Sequence, residues 1–285
     1  MKAIKFTKLT MLILCLVFLS LTLLAPLPNS VTVAGRLDAS VELPIIMYHT
    51  IFHKTPGKYI LPPSCLEGDL IYINQNGFTT VTVADLIDFT KNNKPLPSKP
   101  IMLIFDDGNV TNYKYAFPLL QKYNAKAVMA VVGAWIDENY DSTGKLVKKG
   151  PALNYAQIKE MTDSGLVEIQ NHSYDMHKFT PRRGMTQKKT ELPEEYEAAL
   201  KKDLMLLQER LRDKVGIEPT AVAYPFGSYS KSSGQVLRNL GFKAAFTCNE
   251  KINILTRDSD LLWLGRFNRP YGISSQEFFA KIGLT

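Results

Sequence analysis

Short apolar runs alternate with amphipathic segments along most of the chain, and no other feature of the sequence limits its choice of fold so sharply. VELPIIMYHT, TTVTV, KPIMLIFDDG, AKAVMAVVG, LVEIQNH, PTAVAYPFG and FKAAFTC read as strands. Between them LEGDLIYINQNGF, ADLIDFTKNN, NYKYAFPLLQKYN, NYAQIKEMTDSG, LPEEYEAALKKDLMLLQERLRDKVG and SSGQVLRNLG carry helical spacing, several of them stopped at a glycine. Repeated units of this kind favour parallel strands with helices outside, an α/β fold. At 285 residues and 45% hydrophobic the chain can bury a sizeable core, and no linker rich in Gly, Pro or Ser divides it. Two polar, loop-like insertions, 136–151 and 178–193, interrupt the alternation.

The amino terminus follows a different rule. Lys2, Lys5 and Lys8 precede an apolar run over 9–25 and then a polar, proline-containing stretch. Residues 1–34 therefore read as a signal peptide or an N-terminal membrane anchor, with small residues Thr32, Val33 and Ala34 before a possible cleavage point at Gly35. The expected product is exported, either secreted or anchored at the outer face of the cell membrane, with one domain over 35–285. The net charge is +7, and three of those charges lie in the leader. The mild excess left is a solvated surface or a weak attraction to an anionic cell wall or membrane. No basic tract with interleaved aromatics argues for nucleic acid. Outside the leader only Cys65 and Cys248 remain, which excludes a disulfide framework and a cysteine-rich zinc site; nothing in their spacing says whether they pair.

The segment IMLIFDDG, 101–108, ends a buried strand on adjacent carboxylates, Asp106 and Asp107. In parallel α/β folds functional groups collect where strands end. Neighbouring side chains of a strand face opposite ways, so both acids reach one cavity only if the chain leaves strand geometry, which Gly108 permits. Two close carboxylates repel, and a cation relieves the conflict. The chain has four histidines. His172 and His177, in NHSYDMH directly after LVEIQ, lie again at a strand's carboxyl end, and their spacing of five suits a loop converging on an ion. Two histidines and one aspartate leave a coordination position open, as in a catalytic zinc or similar divalent site.

FDDG after an apolar strand, HSxxxH some 65 residues later, and then AYPFG resemble the motifs of the polysaccharide deacetylases, a carbohydrate esterase family, over about 43–271. The closest likeness is to the branch acting on poly-N-acetylglucosamine. The resemblance implies a distorted (β/α) barrel with a single catalytic domain. It implies a metal-dependent hydrolase that removes N-acetyl groups from N-acetylglucosamine-containing extracellular or cell-wall polysaccharide. Asp107, His172 and His177 would hold one divalent ion, with zinc the expected one, and Asp106 would be the general base. Tyr224, Pro225, Phe226 and Gly227 would form the groove wall, with a backbone N–H near Phe226 facing the oxyanion.

Three features depart from the family pattern. The histidines of the second motif are usually four apart. The arginine that steadies the base is absent from AYPFG, and Arg266 or Arg269 of GRFNRP are the candidates to replace it. No histidine follows His177, so the general acid falls to His49 of PIIMYHTIFH, with His53 a loop residue. An O-acetyl polysaccharide esterase and a non-catalytic glycan-binding relative are the alternative readings.

Overall fold

The computed structural model describes residues 40–284 apart from 142 and 149, so the leader expected over 1–34 lies outside the described residues. Eight strands pair in parallel: β1 Ile45–Tyr48, β2 Thr79–Thr80, β3 Pro100–Phe105, β4 Ala127–Val131, β5 Val167–Asn171, β6 Ala221–Ala223, β7 Ala244–Phe246 and β8 Phe267–Asn268. Their order is β7-β6-β5-β4-β3-β1-β8, with β2 on the first two residues of β3. The helices are α1 Pro63–Gln75, α2 Val83–Lys91, α3 Phe117–Lys122, α4 Gly133–Asn139, α5 Tyr155–Asp163, α6 Pro193–Val215, α7 Ser233–Asn239 and α8 Ser275–Lys281. None of the described helices is long and apolar enough to cross a membrane.

All six residues of β3 are buried, as a strand covered on both faces requires. Ile101, Leu103 and Phe105 join an outer core under the helices with Ile46, Tyr48, Met129 and Ile169. Met102 and Ile104 turn the other way and share an inner core with Ile45, Met47, Val128, Ala130, Ala221 and Ala244. That inner core unites β1 with β7 from opposite flanks of the sheet, which a flat sheet could not do; the strands curl into a distorted, incomplete (β/α) barrel. Val83, Leu86 and Phe89 of α2 enter the same cluster and fill it.

Helix α6 is the longest of the described helices and is set by its sequence at both ends. Pro193 occupies its first turn with Glu194 and Glu195, Arg212 and Lys214 lie in its last, and Gly216 at φ 81° ends it. Its buried stripe is Leu200, Leu204, Leu207 and Leu211.

Several elements differ from the sequence reading. VELPIIMYHT breaks at Pro44: Val41–Leu43 pairs antiparallel with Asn253–Leu255, and only Ile45–Tyr48 joins the main sheet. TTVTV shrinks to β2 because Thr82 caps α2, exchanging hydrogen bonds with Asp85. The insertion at 136–151 is partly helical, since α4 runs into it, whereas 178–192 holds no helix or strand. Strand β8 and helix α8 are additions to the elements that the sequence pattern marks.

Candidate active site

The carboxyl ends of β1, β3 and β5 meet at one cavity of about 480 Å³. At the end of β3 the Asp106 N–H still donates to Tyr48 O (2.9 Å), so Asp106 keeps sheet register. Asp107 then takes φ 76° and Gly108 φ 68°, and both carboxylates face the cavity. The departure from strand geometry thus begins at Asp107 itself, a residue type that tolerates the left-handed region. A side chain at Gly108 would meet Val131 Cγ1 at 2.9 Å.

Asp106 is buried, and Arg266 Nη1 donates to its Oδ1 at 2.7 Å. Burial alone would raise this carboxyl, but the guanidinium, with His172 and His49 nearby, holds it below the usual carboxylate range. Arg266 is itself fixed by a bond from Nε to Thr247 O (2.9 Å). The contact absent from AYPFG is therefore supplied from 160 residues away in the chain. Arg269 makes no such bond to Asp106. Its Nε donates instead to Asp69 at 3.1 and 2.9 Å, and Tyr48 Oη donates to the same carboxylate at 3.0 Å.

Asp107, His172 and His177 bring their ligand atoms within 4.8 Å of one another. Asp107 Oδ1 lies 3.5 Å from His172 Nε2 and 3.3 Å from His177 Nε2, yet it is buried without a hydrogen-bond partner. His172 Nδ1 is 2.8 Å from Ala223 O and donates to it, so Nε2 is the ring nitrogen that faces the carboxylate. A buried carboxylate oxygen without a partner, met by two imidazole nitrogens, fits a divalent cation, and the carbonyl behind His172 is the outer support such ligands use. Burial would raise Asp107, but the two imidazoles beside it drive its carboxyl far below the ordinary range. The His177 ring packs between Trp135 (5.0 Å) and Phe226 (4.3 Å).

His49 follows β1 and lines the same cavity. Asn112 pins its backbone: Nδ2 donates to His49 O (2.7 Å), and Oδ1 accepts from Ile51 N (2.9 Å). The His49 ring rests on Tyr59 at 4.6 Å, and its buried Nδ1 has no partner. Burial lowers its pKa against the opposing pull of Asp106 and Asp107. His53 packs on Tyr115 (4.5 Å) and is not among the cavity's lining residues.

The third motif is redistributed. Of Tyr224, Pro225, Phe226 and Gly227, only Phe226 lines the cavity. Tyr224 is buried in the apolar core with its ring against Tyr229 (4.9 Å). Pro225 is buried, and Gly227, at φ 64°, uses its N–H on Tyr224 O (2.8 Å) and so is not free for substrate. The alternation that turns Tyr224 to the face of Val222, away from the inner core that holds Ala221 and Ala223, follows from its position directly after β6. Cys65 and Cys248 are both free thiols, and Cys248 lies in the cavity wall.

The family model for polysaccharide deacetylase matches residues 93–245. The chain belongs to the polysaccharide deacetylase family. Among curated relatives, the poly-beta-1,6-N-acetyl-D-glucosamine N-deacetylase of Escherichia coli strain K12 is 29% identical over 202 residues, covering 65% of this chain and 30% of that protein. The chain thus spans less than a third of the length of that relative. Among solved structures, the Streptococcus pyogenes deacetylase PplD in complex with acetate matches with a TM-score of 0.71 at 23% identity, over 86% of this chain and 99% of that one. IcaB from Ammonifex degensii matches with a TM-score of 0.67 at 25% identity, over 81% and 93%. The distorted (β/α) barrel of the polysaccharide deacetylase type is the fold of this chain as well.

Within this family member several supporting residues escape a reading of the sequence. Asn112 and Trp135 carry no local signal. Asp203 does: it is an acid at the border of the apolar stripe of α6. Its Oδ1 accepts from Tyr174 N (2.8 Å) and its Oδ2 from Asp175 N (2.7 Å). Burial pushes this carboxyl up to about 6, against the two N–H donors that favour its ionised form.

Proposed function

We propose that the protein is a metal-dependent hydrolase that removes N-acetyl groups from N-acetylglucosamine-containing extracellular or cell-wall polysaccharide. The observation that carries this reading is the partnerless Asp107 Oδ1 between two imidazole nitrogens, one carboxylate away from a base locked by Arg266. The names of the relatives support the polymer, and the lysine-flanked apolar leader supports export.

Asp107, His172 and His177 would hold one divalent ion, for which zinc suits the His/carboxylate donor set. When bound, such an ion supplies Lewis-acid activation of the acetyl carbonyl and of water. Asp106, ionised and oriented by Arg266, takes a proton from the attacking water. His49, across the cavity, gives a proton to the departing sugar amine. The N–H of Phe226 is the third-motif amide left to face the oxyanion, since Gly227 is engaged within its turn.

The test is acetate release from a β-1,6-linked N-acetylglucosamine oligomer, with acetyl xylan as the ester control. Chelation and Asp106→Asn are expected to lower the rate about 10²–10⁴-fold each. Glycan binding without acetate release would replace this reading with the non-catalytic one, and release from xylan alone with the O-acetyl esterase.

A further inference from the structure

The loop joining His172 to His177 is not helical, so its amides have no helical partners and must be satisfied from elsewhere. Ser173 sits at φ 71°, reversing the chain just after the first imidazole. His172 N donates to Val131 O (3.0 Å), the last strand-like bond. After it, Ser173 N donates to Asn171 Oδ1 (2.8 Å), Tyr174 N and Asp175 N to the two oxygens of Asp203, and Met176 N to Ser173 Oγ (3.1 Å). The loop's carbonyls are gripped from the other side: Gly133 N donates to Ser173 O (3.2 Å) and Ala134 N to Tyr174 O (2.7 Å). The approach is close enough that a side chain at Gly133 would meet Tyr174 at 2.5 Å.

Asp203 is thus the single side chain holding two consecutive amides of this loop, and it projects from α6, whose Leu200, Leu204 and Leu207 anchor it in the core. We propose that Asp203 is a positioning residue for the metal site, a two-oxygen clamp that fixes the spacing and aim of His172 and His177. A five-residue interval gives the two imidazoles more freedom than one helical turn would. The clamp removes that freedom before an ion arrives, and preorganised ligands bind more tightly than mobile ones. Asp203 is not among the residues lining the cavity.

This inference rests on the reading that Asp107, His172 and His177 hold an ion, and its test separates the two. Zn²⁺ and Co²⁺ affinities of the full chain are measured by competition with a chromophoric chelator, alongside the melting temperature of the metal-free protein. Asp203→Asn keeps the size of the side chain but turns an NH2 group toward an amide donor, and it is expected to weaken affinity about 10–100-fold. Asp203→Glu, which restores both acceptors on a longer stem, is expected to recover part of the loss. Leu211→Ala on the same helix provides the comparison, since it destabilises α6 two turns beyond Asp203 and leaves the clamp's carboxylate in place. An Asp203→Asn affinity within twofold of wild type overturns the clamp. An affinity loss that Leu211→Ala reproduces at an equal drop in melting temperature also overturns it. A wild-type protein that binds neither ion would instead overturn the metal reading itself.

Discussion

Arg266 and Asp106 form a pair in which each charge is fully removed from water, the arginine at 0% and the aspartate at 3% exposure. Removing one member of such a pair strands the other, so Arg266→Met is expected to cost about 3–5 kcal/mol of stability in denaturant unfolding. The intact pair's contribution is present above the unfolded carboxyl value of about 3.9 and is lost as pH falls through the lower folded value. Its effect on turnover has a sign of its own. With the guanidinium gone, burial dominates and raises the Asp106 carboxyl, so the acid limb of kcat/KM should move to higher pH. An acid limb unchanged in the variant would mean that another group sets it. In the proposed reaction His49 would act at the opposite limb, where it must be charged to donate, and burial lowers its pKa from that of a free imidazole. Its role can be separated by the leaving group. His49→Ala should lower N-deacetylation about 10²-fold or more, yet leave hydrolysis of an aryl acetate nearly untouched, because a phenolate departs without a proton. Equal losses on both substrates would assign His49 to binding.

At the scale of elements, the strand ends and the loops that follow them are legible in the sequence to different degrees. The apolar run of β3 and the acids after it announce a strand and its functional end, since burial on both faces leaves a continuous pattern. Strand β8 leaves no such trace: two residues carry no period, and its place beside β1 is set by pairing with Ile46 and Met47 and by Arg269 bonding to Asp69 across 200 positions. The choice between Arg266 and Arg269 is closed to sequence for the same reason. They stand three apart, and only the curl of the sheet decides which guanidinium meets Asp106. The insertion at 178–193 reads correctly as a loop, though not as a wall of the site. Met185 N donates to Ser228 O (3.1 Å) and Arg183 Nε to Ser228 Oγ (3.1 Å), tying it to the third-motif turn. Phe179, 65% exposed, is thereby stacked on Phe226 at 4.4 Å in the cavity wall. An exposed ring held in place beside Arg183 suits the apolar C–H face of a neighbouring sugar. Phe179→Ala is expected to raise KM for a tetramer or longer oligomer about tenfold while sparing an aryl acetate, and steady-state kinetics on the two substrates would check it. A change of equal size on both would make Phe179 part of the reaction centre rather than of the chain-binding groove.

For the whole molecule the three candidate ligands are a cross-brace. Asp107 hangs on the end of β3, while His172 and His177 follow β5, with β4 between them in the sheet. Without a cation the carboxylate oxygen there is buried and partnerless, a local cost the rest of the fold carries. Binding an ion removes that cost and joins the two strand ends, and since an unfolded chain does not hold the three groups together, affinity becomes folding free energy. At a free ion concentration of 100 times Kd the gain is about 2.7 kcal/mol. For a domain of this size that corresponds to a rise in melting temperature of roughly 5–10 °C. The expected result is a melting curve that shifts upward with added Zn²⁺, returns with chelator, and shifts little in a His177→Ala variant that keeps the metal-free melting temperature of the parent. A wild-type curve indifferent to the ion would mean that the folded protein does not bind it, and the metal reading would fall.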